Sequence, residues 1–364
     1  MSQQTAVIRP AVRPTTAMRV RRINEVAAQI FPAVIIAVLV LLIIITAQQS
    51  GVAVAGEQLL NGLTIGGVYA LIAVGYTMVY GIIELINFAH GDVFTLSAFY
   101  SVLVVRYSSA LGFDLNSLAV NHGVGGFVLA MAIVLPITML LAGLTGVTIE
   151  RVAYRRLRNA PKLAPLITAV GVSFFLEGLM QARAGSANVP TGMRDWVRGD
   201  AFTIGGVTVT WKDIFVVGSA VFAMVLLQTF VRRTRLGKAM RATAQERDAS
   251  LLSGININRT IAATFFIGSA MAAVGGVVYS IKEGEITWNL GFQFGIIAFT
   301  SAVLGGIGNI VGAGLGGFLI GLFAVFGSQL IGAQWANSII FIMLIIVLTF
   351  RPVGLLGQRL PDRA

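Results

Sequence analysis

Cysteine is absent from this chain. That excludes disulfides, thiolate metal sites and cysteine nucleophiles together. Histidine is nearly absent: His90 and His122 stand far apart, with no metal-ligand spacing. Acidic residues number only 15, and charged residues make up 11% of the 364. A soluble domain carries about 25%. The phosphate-binding pattern G-x-x-x-x-G-K-[ST] is missing too: Gly237-Lys238 is followed by Ala239 and has no upstream glycine. The chain is therefore not expected to hydrolyse nucleotide itself. No nucleophile–base arrangement stands out either.

What the chain has is long apolar runs. It is 56% hydrophobic, with a mean hydropathy of +0.86. The runs do not alternate, so they read as membrane helices and the fold class as an all-α integral membrane protein. Charge-free intervals mark the spans: 26–56, 58–83, 123–149, 214–231 and 260–281. The 65 residues between Glu285 and Arg351 carry no charge, enough helix for about three crossings. Two intervals, 93–105 and 163–176, are too short alone. The first must borrow from Glu84–Asp92, and the second must run on through Glu177. Short or interrupted membrane helices near polar residues point to a transport pathway.

Basic residues set the orientation. One group, Arg9 to Arg22, precedes the first span. A second holds Arg151, Arg155, Arg156, Arg158 and Lys162. A third runs from Arg232 to Arg259, and a fourth holds Arg351, Arg359 and Arg363. Short loops rich in Lys and Arg belong in the cytoplasm. The net charge of +11 is explained by these loops and needs no nucleic acid. Spans near 29–49, 58–80, 84–106, 124–148, 163–182, 213–231, 260–281, 294–310, 312–331 and 335–350 satisfy the alternation. About eight to ten crossings are expected, with both termini cytoplasmic. The 294–331 region could hold a re-entrant segment instead.

The domain reading follows. Residues 1–28 form a basic cytoplasmic extension and 29–55 an extra N-terminal span. Residues 56–356 form the polytopic body, and 357–364 a cytoplasmic tail. The first span has a rival reading as a signal peptide, since Ala53-Val54-Ala55 resembles a small-residue cleavage site. The external loop 183–212 alternates around Gly205-Gly206, which predicts a small hairpin. It either covers the bundle or docks an external partner.

Three sets of candidate site residues emerge. The first is Glu84, Asn87, His90, Gly91 and Asp92, a polar cluster in an apolar chain. Polar groups beside lipid persist where they line a route, bind a ligand or hold helices together. A helix starting at Glu84 would put Glu84, Asn87 and Gly91 on one face. The competing reading is a turn whose Asn and Asp bond their own backbone. The second set is Gly308, Gly312, Gly316, Gly317 and Gly321. Gly312–Gly317 matches the dinucleotide pattern G-x-G-x-x-G, but no acid follows about 20 residues on to hold a ribose. The fours-spacing reads as helix packing. The third set lies in the longest cytoplasmic loop, 232–260: Arg241, Ala244, Glu246, Asp248, Ala249 and Gly254. A helix from about 240 to 252 is expected, ended by Gly254. Ala and Leu exposed together suit a protein groove, although a helix held at anionic lipid is the plainer alternative.

Several ordered segments carry a family resemblance: Asn61–Leu71, Gly75–Ile82, Ile86–Asp92, Ile149–Arg155, Gly254-Ile255-Asn256 with Arg259, and Ala302–Asn309. From about Gly56 to Leu356 the chain resembles the permease subunits of branched-chain amino acid ABC importers, of the LivH type. The resemblance implies a type II ABC-importer-like permease fold in a bacterial inner membrane. It implies a second homologous permease, two cytoplasmic ATPases that bind the ATP and Mg, and an extracytoplasmic amino-acid-binding protein. This chain would bind no cofactor itself. The 232–260 loop would seat in an ATPase, with Asp248, Ala249 and Gly254 nearest the family pattern. Two departures stand out: members usually begin near Gly56, and Arg156 replaces a common proline. Urea or amides are alternative substrates within the family. A stand-alone secondary transporter or channel is the alternative class, with Glu84 and Glu177 as its candidate coupling acids.

Overall fold

The computed structural model describes residues 16–158, 160–161 and 163–357, with side chains from residue 30. Residues 1–15 and 358–364 lie outside the described residues, and with them Arg9, Arg13, Arg359, Arg363 and most of the predicted extension and tail. Lys162 lies outside them as well.

The chain opens with α1 (Thr16–Ser50), α2 (Val52–Ile83) and α3 (Ala89–Ala110). A short α4 (Leu115–Asn121) leads into α5 (Gly123–Ile149), which continues as a π-helical turn over Glu150–Tyr154. Next come α6 (Leu163–Ala184), strands β1 (Val189–Pro190), β2 (Asp200–Ile204) and β3 (Val207–Thr210), and α7 (Trp211–Arg233). The loop helices α8 (Arg235–Gln245) and α9 (Arg247–Leu252) follow, then α10 (Ile257–Glu283) and β4 (Glu285–Ile286). The chain closes with α11 (Leu290–Gly305), α12 (Ile310–Ile331) and α13 (Ala336–Phe350).

Among the described residues, nine helices are long and apolar enough to cross a membrane. The predicted tenth span, 294–310, is α11. Its 16 residues cover only about 24 Å. It stops early because Gly306 takes φ +112°, which an L side chain rarely adopts.

Helix α2 is the axis of the bundle, and α12, α10, α11 and α7 pack around it. Small residues set the spacing, because lipid gives apolar faces little reason to associate and close backbone contact must supply it. A Cβ on Gly66 would lie 2.8 Å from the Phe318 Cα. One on Gly317 would strike the Ala70 backbone, and one on Gly321 the Gly66 backbone. Bulky apolar side chains instead cover the outside of the peripheral helices. Phe174 and Phe175 on α6, Phe222 on α7 and Ile345 on α13 are all exposed in the single chain.

Polar caps mark the ends. One end of the molecule carries the β2–β3 hairpin, turned at Gly205 and Gly206 with φ +59° and +86°. Beside it β1 pairs antiparallel with β4. Thr210 and Asp213 form a reciprocal capping box at the start of α7. The opposite end carries the basic loops, including α8 and α9.

Candidate functional site

The polar segment after α2 is not the start of a helix. Glu84 is the left-handed cap of α2, with φ 58° and its N–H bonded to the Tyr80 carbonyl at 2.8 Å. Helix α3 begins only at Ala89. The predicted stripe of Glu84, Asn87 and Gly91 on one helix face is therefore corrected. The reason is local: the reversed twist at Glu84 ends one helix, and residues 84–88 run as a break before the next.

The break disperses the cluster. Glu84 is exposed and faces the loop helices. Asn87 is buried, and its Oδ1 accepts a hydrogen bond from the Tyr154 hydroxyl at 3.0 Å. His90 is buried against α2; its ring meets Tyr76 edge-on at 5.6 Å, and its Nε2 has no well-formed hydrogen bond. Gly91 lets α3 touch the α11 backbone at Gly295. Asp92 is buried on the other side, where its Oδ2 accepts from the Ser173 hydroxyl of α6. Its Oδ1 presses against Gly291 of α11 and has no partner. The next acid, Glu177, sits one turn further along α6. The first turn of α3 is thus wedged among α2, α6 and α11. The Ser173 and Tyr154 contacts carried no signal in the sequence beyond their being polar residues in apolar runs.

The glycine set divides as well. Gly312 and Gly316 face α11 at Gly305 and Ser301, while Gly317 and Gly321 face α2. Gly308 lies outside α12, in the turn before it, with φ +82°.

The long basic loop folds as two helices, which corrects the single helix expected from 240 to 252. Glu246 takes an extended conformation, φ −153° and ψ 111°, and separates α8 from α9. Gly254 ends α9 in the left-handed region, φ +78°, with Ile255 N–H reaching back to the Ser250 carbonyl at 3.0 Å. Arg241, Ala249, Asp248 and Glu246 are exposed on this loop, and Ala244 is half-buried against the bundle.

A cavity of about 440 Å³ lies between the loop and the break. Glu84, Leu85, Arg158, Thr243 and Asp248 help line it. Its far wall belongs to an ion cluster below α5. Glu150 is fully buried and accepts from Arg155 Nη2 at 2.8 Å and from Arg158. Arg158 also donates to Asn258 at the start of α10, at 2.6 Å. Burial lowers the Arg158 pKa, while the adjacent Glu150 carboxylate pulls it up. A buried carboxylate needs such partners, because an unpaired one would cost several kcal/mol. Among the described residues, no group of three His, Cys, Asp or Glu side chains is placed to hold a metal ion.

Membrane-length helices around a glycine-packed axis, with a basic two-helix loop at one end, make a multi-pass membrane bundle among the described residues. Comparison with known proteins makes this specific. The family described as the permease component of branched-chain amino acid transport systems matches residues 58–348. The high-affinity branched-chain amino acid transport permease BraD of Pseudomonas aeruginosa is 41% identical over 305 residues, covering 83% of this chain and 95% of BraD. LivH of Escherichia coli K12 is 40% identical over 306 residues, with the same coverage. A solved structure, PsaBC from Streptococcus pneumoniae in complex with Fab, covers 84% of this chain and 94% of its own at 11% identity. Its TM-score of 0.39 makes it too remote to bear on the fold. The chain belongs to the branched-chain amino acid permease family. It is a permease subunit of an ABC transport system, and hydrolysis of ATP falls to separate subunits. The stand-alone transporter or channel is not favoured.

Proposed function

We propose that this chain forms half of the translocation unit of an inner-membrane importer for leucine, isoleucine and valine. A second homologous permease completes the unit. Two ATPases dock on the end that carries α8 and α9, and an extracytoplasmic binding protein delivers the amino acid at the hairpin end. The ATPases hold the ATP and Mg; this chain holds no cofactor. Both termini lie in the cytoplasm, on the side where the basic loops collect. The observation that carries the reading is the 41% identity to BraD over 95% of its length.

The loop helices are the coupling element in this reading. Arg241, Glu246, Asp248 and Ala249 are exposed where an ATPase groove would receive them. Of the polar cluster, Asn87, His90, Gly91 and Asp92 serve as the lock that seats the first turn of α3. They are packed between helices. Glu84 belongs with the coupling end.

The test is uptake in proteoliposomes holding the full complex. Leucine, isoleucine and valine should enter only with ATP and binding protein, and excess urea or acetamide should not compete. Uptake that survives without the ATPases and collapses with the proton gradient would sink the reading. Gly254→Leu should uncouple hydrolysis from uptake, because its φ of +78° strains any L side chain by about 1–2 kcal/mol and deforms the end of α9.

A further inference from the structure

We infer that Arg247 is the positioning residue that carries movement of the loop helices into the membrane core, by gripping the end of α2. Arg247 is the first residue of α9, and its Nη2 donates to the Ile83 carbonyl at 3.0 Å. That carbonyl is among the last four of α2, which have no partner within their own helix. The left-handed turn at Glu84 swings the chain aside and leaves it open to a donor. A guanidinium there also answers the negative end of the helix dipole. Helix α2 is the buried axis of the bundle, so a pull on its last turn reaches α10, α11 and α12 together.

The break is held at its other end too. Asn87 accepts from Tyr154, which belongs to the π-helical turn below α5. Residues 84–88 therefore hang between two grips, one from the loop and one from the bundle. The cavity of about 440 Å³ alongside, walled on its far side by Leu157, Arg158 and Pro165, leaves the loop and the break room to move together. The first turn of α3, with His90 and Asp92, follows directly. A stroke on α9 has a path through Arg247 to the last turn of α2, and from there to the α3 lock.

This rests on α8 and α9 being the coupling element. The experiment uses the full complex in proteoliposomes and reads both leucine uptake and ATP hydrolysis. R247Q should assemble and hydrolyse ATP, while uptake per ATP falls about tenfold, within the usual range of coupling between sites. R247K keeps a cation and a donor and should recover much of the loss. An unchanged ratio in R247Q overturns the inference. If wild-type uptake proves independent of the ATPases, the functional reading fails instead, so the two failures are distinct. Should R247Q not assemble, spin labels decide. The chain has no native cysteine. Leu85→Cys with Gln245→Cys therefore takes label only at those two positions in this subunit. Spin–spin broadening should be the same with and without ATP, because the loop and the break move as one body. A separation that changes by a helical turn, about 5.4 Å, overturns the inference.

Discussion

Two breaks meet at the last turns of α2, and they are built differently. Residues 306–309, between α11 and α12, are held by backbone bonds at the end of α11 and by the short side chains of Thr77 and Asn309. Leu355 N–H donates to the Leu304 carbonyl at 2.8 Å, and Leu356 N–H to the Gly305 carbonyl at 2.9 Å. Gly308 N–H donates to the Thr77 hydroxyl at 3.0 Å, and Asn309 caps α12 through the Gly312 N–H. Glycine makes this possible: a Cβ on Gly81 would stand 2.9 Å from the Gly308 Cα. Residues 84–88, between α2 and α3, are instead held by two long side chains, Arg247 and Tyr154. A backbone contact has no rotamers, and short side chains such as threonine have few, so the break has little slack. An arginine reaching from a surface loop has several. The difference assigns the glycine break to anchoring and the polar break to movement.

The largest expected effect is on the anchor. A Cβ on Gly305 would enter the Gly312 carbonyl, which is backbone and cannot rotate away. Gly305→Leu should cost about 3 kcal/mol or more. Its measure is the midpoint of thermal unfolding in detergent, together with the amount of protein inserted. A wild-type midpoint would mean that the α11–α12 junction has slack after all. Thr77→Val comes next. It keeps the shape and removes the hydroxyl of the buried Thr77 that accepts from the exposed Gly308, at a cost of about 1 kcal/mol. Uptake per ATP should stay at the wild-type value, because the hydrogen bonds described for this break run to α2, α12 and the C-terminal segment and not to α8 or α9. A loss of coupling without a loss of stability would reverse the assignment.

The same contrast explains what could be read from the sequence. Membrane spans follow from charge-free length, and glycine contacts from spacing of three or four, because each is a property of one helix. Gly312, Gly316, Gly317 and Gly321 could therefore be seen in advance as a packing surface, though not which neighbour each would face. The polar break resisted because its geometry is set by one backbone angle. Nothing in Glu84-Leu85-Ile86-Asn87 marks a left-handed residue, so a helix starting at Glu84 looked as natural as one starting at Ala89. The partners of the break come from far along the chain: Tyr154, 67 positions from Asn87, and Arg247, 164 from Ile83. Pairings at such distance leave no periodic trace. Tyr154 lies in a segment that carried the family resemblance, and Arg247 was visible only as one basic residue among several. The kink at Glu246, which turns one expected loop helix into two, is hidden for the same reason.

An equally small effect on stability is expected at the polar break, and it is the most diagnostic. Tyr154→Phe removes one hydroxyl and keeps the ring against Phe265, where the centroids are 5.4 Å apart. The amide of Asn87 can rotate to seek another donor, which a backbone N–H cannot do. The cost should be about 1 kcal/mol, comparable with that of Thr77→Val. Coupling should separate the two variants. With the grip from the π-helical turn released, residues 84–88 lose a side-chain tether to the bundle, so part of each stroke is spent moving a looser segment instead of α3. Uptake per ATP should fall in Tyr154→Phe and hold in Thr77→Val, measured in the same proteoliposomes. If the two variants instead behave alike in coupling, both breaks are anchors, and the division between them disappears.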